Sequence, residues 1–280
     1  MSDSSGERKH FPIGVFDSGL GGLTVARALR KNLPGEDIIY FGDTARVPYG
    51  AKSSDTVVRF ARECFTFLIR RQIKLLVVAC NTASALALPK LGEMMLIPAV
   101  GVIMPGVSAA LKATSGGRIG VVGTEATIGS GAYKRKLQKQ NSRIQVFQKP
   151  CPLFVPLAEE GWTQGDVPER VARHYLGELL KEEIDTLILG CTHYPMLKQV
   201  IGEVAGKRVQ LIDSAEETAH ETALQLAQSD LANPRQGSGT LQAFVSDSVD
   251  RFRRIGGAFL GESLDSATIV DQGDLPWYER

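Results

Sequence analysis

Short runs of aliphatic and β-branched residues recur along the chain at 13–16, 37–41, 75–79, 99–103, 118–122, 143–147, 186–189 and 209–212. Most are little interrupted by polar residues, as expected of strands buried on both faces. Between them lie stretches whose apolar positions return at helical spacing: 22–31, 54–71, 84–94, 106–113, 130–140, 168–183, 194–205 and 215–229. Strand alternating with helix predicts an α/β fold with mostly parallel sheets. In such sheets ligands bind beyond the carboxyl ends of the strands.

Those carboxyl ends are where the polar residues gather. The runs finish in Asp17-Ser18-Gly19, Asp43-Thr44, Cys80-Asn81-Thr82, Gly123-Thr124 and Cys191-Thr192-His193. Two of the runs end in a cysteine, L-L-V-V-A-C-N-T at 75–82 and T-L-I-L-G-C-T-H-Y at 186–194. The segment from Gly14 to Ser18 resembles that from Gly120 to Thr124, at nearly the offset that separates Cys80 from Cys191. This weak repeat predicts two related halves, each a small doubly wound sheet bringing one thiol to a shared cleft.

Composition narrows the partners. With 280 residues, 43% of them hydrophobic, the chain can bury a sizeable core. Its 32 Lys plus Arg against 31 Asp plus Glu leave no net field to attract nucleic acid or an anionic membrane. No apolar run reaches the ~20 residues of a membrane span. The polar start, M-S-D-S-S-G-E-R-K-H, lacks the apolar stretch of a secretory signal, and 1–10 is expected to be a frayed leader. Four cysteines are too few for a disulfide scaffold, so a reduced, cytoplasmic protein is expected. Cys64 lies in a helical pattern and reads as filler, and Cys151 lies between two prolines, whereas Cys80 and Cys191 each cap a strand.

Chemistry gives the pair a use. A zinc site would need four ligands, and with Cys191 and His193 two apart and no C-x-x-C they do not assemble. A single nucleophilic cysteine with His193 as its base leaves Cys80 unexplained. Two thiols across one substrate can remove a proton from one face of a carbon and return one to the other face, which inverts a stereocentre. A free thiol of pKa ~8.5 is mostly protonated at neutral pH, so the site must assist it. His193 could exchange protons with Cys191, and Asp17 could orient or serve Cys80. The carbanion needs hydrogen bonds, for which Ser18, Asn81, Thr82, Thr124 and Thr192 offer donors. Backbone amides of the 18–22 loop suit a carboxylate.

With these residues in view the sequence resembles the cofactor-independent glutamate racemases. The resemblance runs from about Ile13 to about Leu260 and rests on six motifs in order: F-D-S-G-L-G-G-L-T-V at 16–25, Y-F-G-D-T-A-R-V-P-Y-G at 40–50, A-C-N-T-A-S at 79–84, G-V-V-G-T-E-A-T at 120–127, C-P-L-F-V-P-L-A-E-E-G at 151–161 and G-C-T-H-Y-P at 190–195. It implies interconversion of L- and D-glutamate without pyridoxal phosphate or metal, supplying D-glutamate for peptidoglycan. It implies that Cys80 takes the proton from D-glutamate and Cys191 from L-glutamate, with Asp17 and His193 assisting. Asp17, Ser18, Tyr49, Gly50, Asn81, Thr82, Thr124, Thr127, Thr192 and His193 fall where the family holds substrate; Asp43 and Glu159 are expected in support. The implied fold is two pseudo-symmetric α/β domains around a cleft, 1–104 with 214–262 and 105–213, followed by a tail at 263–280 whose Pro276, Trp277 and Tyr278 have no assigned role. A homodimer is expected. Some members of the family are reported to inhibit DNA gyrase, so the resemblance admits that second role.

Two other enzymes compete. A dinucleotide-binding oxidoreductase would use Gly19, Gly21 and Asp43, but the third glycine position is Thr24 and the cysteines are left idle. An aspartate racemase would share the two-thiol chemistry, and residue counting does not fix the depth of the pocket.

Overall fold

The computed structural model describes residues 4–92 and 95–270. Its strands are β1 (Ile13–Asp17), β2 (Ile38–Gly42), β3 (Leu75–Val78), β4 (Ala99–Gly101), β5 (Arg118–Gly123), β6 (Gln145–Pro150), β7 (Thr186–Gly190), β8 (Gln210–Asp213), β9 (Leu241–Val245) and β10 (Thr268–Ile269). They form a six-stranded sheet ordered β10-β9-β2-β1-β3-β4 and a four-stranded sheet ordered β6-β5-β7-β8. Every pairing among them is parallel. The expected α/β architecture, two helix-flanked parallel sheets, is the one found.

The unbroken apolar runs have a direct cause. Along β3, Leu75 and Val77 enter the core on one face of the sheet, while Leu76 and Val78 enter the core on the other. Along β7, Leu187 and Leu189 face one core and Ile188 the other. A strand covered on both faces has no solvent side, so polar alternation disappears.

Register aligns the strand ends. Asp17 stands opposite Gly42, and Phe16 opposite Val78; in the other sheet Gly123 pairs with Gly190. Asp43, Cys80, Thr124 and Cys191 therefore each follow the end of a strand. Two short α-helices begin there. Cys80 caps helix Asn81–Leu86, its sulfur accepting from the Ala83 amide at 3.5 Å. Thr124 caps helix Glu125–Gly129 through the Thr127 amide at 3.3 Å.

Some expectations are corrected. Ile103 is not a strand residue: β4 stops at Gly101 and helix Ile103–Ala113 starts at once. The expected helix at 84–94 is two pieces, Asn81–Leu86 and Leu88–Leu91, the second with proline in its first turn. The strand expected at 143–147 lies later, at Gln145–Pro150. The expected frayed leader contains helix Ser4–Arg8, and the carbonyl of Lys9 accepts a 2.6 Å hydrogen bond from buried Lys74. Helices Phe154–Glu159 and Val249–Leu260 and strands β9 and β10 had no expected counterpart. β10 falls within the presumed tail and Val270 packs into a core, whereas Pro276, Trp277 and Tyr278 lie outside the described residues. Among the described residues no helix is long and apolar enough to cross a membrane.

Candidate active site

The turn after β1 is held by Asp17, which is fully buried and accepts a 2.9 Å hydrogen bond from the Gly19 amide at Oδ2. The Tyr40 hydroxyl donates to the Gly19 carbonyl at 2.9 Å. This turn packs against the second sheet's loop with no room for side chains. A Cβ on Gly21 would lie 2.4 Å from Thr192 Oγ1 and 2.5 Å from His193 Nδ1, and one on Gly22 would lie 2.5 Å from Asp17 Cβ. Burial raises the Asp17 carboxyl above its ordinary range, and His193 and the neighbouring amides offset this only in part. Its Oδ1 and the Oδ1 of Asn81 are buried acceptors with no donor among the described residues.

Cys80 and Cys191 have different surroundings. The Cys80 thiol is buried and within 3.5 Å of Ser18 Oγ. Burial, reinforced by the charge of Asp17, pushes it up to about 12, so it carries its proton at neutral pH. Cys191 Sγ lies 3.8 Å from His193 Nδ1. His193 Nε2 meets Glu159 Oε1 at 3.0 Å, and Glu159 Oε2 accepts from Arg251 Nη2 at 2.8 Å. Burial works against charge on His193, but its bonds to Cys191 and Glu159 prevail and push it up to about 10. Burial likewise opposes charge on Glu159, but His193 and Arg251 hold its carboxyl below the ordinary range.

The remaining polar groups form two networks. Thr82 Oγ1 lies 3.0 Å from Thr124 Oγ1 and 3.1 Å from Thr127 Oγ1, so these hydroxyls join the helix after Cys80 to the helix after β5. Asp43, also fully buried, takes hydrogen bonds from Tyr49 at 2.5 Å, Arg46 at 2.7 Å and Ser246 at 2.9 Å.

A narrow cleft of about 40 Å³ is lined by Ser18, Tyr49, Gly50, Cys80, Asn81, Thr82, Thr124, Glu159, Cys191, Thr192 and His193, all expected at the site from sequence. Asp17, Thr127 and Asp43 stand behind this lining: Asp17 under the Gly19 turn, Thr127 on the threonine hydroxyls, Asp43 on Tyr49. Gly19, Val47, Pro48 and Val155 also line the cleft, and Tyr133 accepts from Asn81 Nδ2 at 2.9 Å. Sequence reasoning missed Tyr133 and Arg251. Tyr133 sits in an ordinary helical pattern and Arg251 near the start of an unanticipated helix, so neither carried a signal. Cys64 and Cys151 are buried away from the lining, Cys64 near the Tyr49 hydroxyl and Cys151 against the Lys149 carbonyl. No group of acidic, histidine or cysteine side chains among the described residues could hold a metal ion.

A family model described as Asp/Glu/Hydantoin racemase matches residues 22–222. The chain is 55% identical over 252 residues to a glutamate racemase of Geobacter metallireducens, covering 90% of this chain and 93% of that one. It is also similar to the crystal structure of the Francisella tularensis glutamate racemase in complex with D-glutamate, with TM-score 0.89, 40% identity, and 95% and 100% of the two chains covered. The Bacillus anthracis glutamate racemase isoform RacE1 matches with TM-score 0.91 at 41% identity, over 94% and 98% of the chains. The chain belongs to the Asp/Glu/Hydantoin racemase family. Within that family it groups with the glutamate racemases, which are isomerases.

Proposed function

We propose that the protein interconverts L- and D-glutamate by proton transfer at Cα between Cys80 and Cys191. The observation that carries the reading is that one thiol from each sheet, each at a strand end, lines a single cleft. In the L-to-D direction the Cys191 thiolate, beside a charged His193, takes the Cα proton and becomes a thiol. The electron pair left on Cα spreads into the adjacent carboxylate. The Cys80 thiol delivers its proton to the opposite face and becomes the thiolate. The reverse reaction exchanges the roles, and no oxidant or reductant is needed.

The surroundings suit this direction: burial and Asp17 keep the proton on Cys80, and His193, held charged by its bonds to Cys191 and Glu159, lies 3.8 Å from Cys191 Sγ. Threonine hydroxyls and the turn amides of 18–22 supply donors for the carboxylate on which charge develops. The unpaired buried oxygens of Asp17 and Asn81 suit an ammonium group, because a buried acceptor without a donor costs about 1–3 kcal/mol. Asp43 acts indirectly, by fixing Tyr49. The reading requires no cofactor. It includes a cytoplasmic homodimer that supplies D-glutamate for peptidoglycan, with the chain crossing between domains near residues 105 and 214. A role against DNA gyrase rests on the resemblance alone.

Purified protein with L-glutamate and no added cofactor is expected to bring the circular dichroism of the solution to zero, and D-glutamate to do the same from the opposite sign. A constant signal with glutamate rejects the reading, and a faster decay with aspartate transfers it to the sister enzyme. A Gly21→Ala substitution is expected to lower kcat/KM on the order of a hundredfold, because its methyl group would displace Thr192 and His193 by a large fraction of an ångström. An alanine variant that keeps the parent rate would show that the turn can retreat from His193.

A further inference from the structure

Glu159 is held at both carboxylate oxygens, by His193 at Oε1 and by Arg251 at Oε2. It is the last residue of helix Phe154–Glu159, whose Phe154 and Leu157 belong to the core beside β7 in the four-stranded sheet. Arg251 belongs to helix Val249–Leu260, whose Phe252, Phe259 and Leu260 pack into the core of the six-stranded sheet. Phe259, from the same helix, also sets its ring edgewise against His193, with centroids 5.4 Å apart. One helix outside the span matched by the family model thus reaches His193 twice, directly through Phe259 and indirectly through Glu159.

A pair so exposed on its Arg251 side adds little to stability; exposed pairs contribute about 0–1 kcal/mol. Aim is a different matter. Glu159 ends a helix, where a carboxylate gains nothing from the helix dipole, and its side chain has several rotamers of which one meets His193. A charge-assisted bond to the second oxygen selects that rotamer.

We propose that Arg251 is a positioning residue: by gripping Glu159 Oε2 across the rim of the cleft it aims Oε1 at His193 Nε2, and so holds the imidazole beside Cys191. The helix that ends at Glu159 touches both cores, Phe154 and Leu157 in that of the four-stranded sheet and Ala158 in that of the six-stranded sheet, so the grip is made at the rim where the two sheets meet. The proposal rests on the reading of Cys191 as an acid/base thiol. The titratable groups facing His193 are Cys191 on its own loop, Glu159, and Asp17 from β1. Losing Arg251 leaves the first and third in place and frees the second.

The test uses the full chain with Arg251→Gln, Arg251→Lys and Glu159→Gln. The His193 ring is titrated by NMR without substrate, and kcat/KM is followed against pH. In Arg251→Gln the His193 titration is expected to move down by about one pH unit, which changes the ratio of charged to neutral ring about tenfold. The alkaline limb of the kcat/KM profile moves down with it by about one pH unit, so kcat/KM falls about tenfold only at pH above that limb and stays near the parent at neutral pH. It falls by the same factor in both directions, since enantiomers have equal free energy. Glu159→Gln gives the larger shift of the same sign, Arg251→Lys recovers most of the loss, and the thermal midpoint of Arg251→Gln stays near that of the parent. A His193 titration unchanged or raised in Arg251→Gln overturns the proposal, whatever the rate does. A lowered titration with an unmoved alkaline limb of the kcat/KM profile overturns its claim on catalysis. If Cys191→Ala proved active the two-thiol reading would fail, and the substrate-free titration would still decide for or against Arg251.

Discussion

Alanine at Cys80 or at Cys191 is expected to end racemisation, with kcat falling on the order of a hundredfold or more while the fold persists. On the two-thiol reading, either substitution removes a proton carrier from one face of the substrate and leaves the other thiol with no partner. Cys64→Ala is the control: its thiol is buried behind Tyr49, outside the cleft lining, and the rate should stay within a few-fold of the parent. Serine variants separate the two faces. In heavy water, Cys80→Ser retains Cys191 and His193 and should slowly place deuterium at Cα of L-glutamate without inverting it, while leaving D-glutamate nearly untouched. Cys191→Ser should show the opposite preference, and proton NMR of each pure enantiomer reads both. A Cys191→Ala protein with near-parental rates would sink the two-thiol mechanism. Exchange of D-glutamate by Cys80→Ser would reverse the faces and keep the mechanism.

The largest expected effect on stability lies at the opposite end of β3 from Cys80. Lys74, with no exposed surface, meets the carboxylate of nearly buried Glu36 at 2.5 Å and donates to the Lys9 carbonyl at 2.6 Å. Glu36 also accepts from the Asn233 amide at 2.8 Å, so this pair ties the N-terminal segment to the loop before β9. Lys74→Met leaves a carboxylate buried without its cation, and removing one partner of such a pair costs about 3–5 kcal/mol. Urea unfolding should report that loss, and the folded fraction should racemise at the parental kcat because the site is a strand-length away. Lys74→Met with Glu36→Gln should regain part of it. A single variant within about 1 kcal/mol of the parent would contradict the expectation.

How much of this could be read from sequence follows from how local each signal is. The doubly buried strands were legible because a strand covered on both faces leaves an unbroken aliphatic run, as 75–78 and 186–189 do. Cys80 and Cys191 were legible because each interrupts such a run with a polar edge, and parallel topology sends every such edge to the same side. β9 was missed: Leu241–Val245 contains Gln242 and follows a stretch rich in glycine and serine, and its pairing with β2 comes from a contact two hundred residues distant. The split of the expected helix at 84–94, and the start of helix Ile103–Ala113 two residues after β4, depend on packing that periodicity does not encode.

The sequence alone therefore determined which residues stand at the strand ends and the resemblance built on them, because both reside in short contiguous motifs. Only the tertiary structure decided how the two thiols differ. Cys80 is a proton-holding thiol because burial and Asp17 act on it together, and Cys191 faces a charged imidazole because Glu159 and Arg251 converge from two other helices. Charge and burial depend on distances in space, and those distances join residues that the chain keeps far apart.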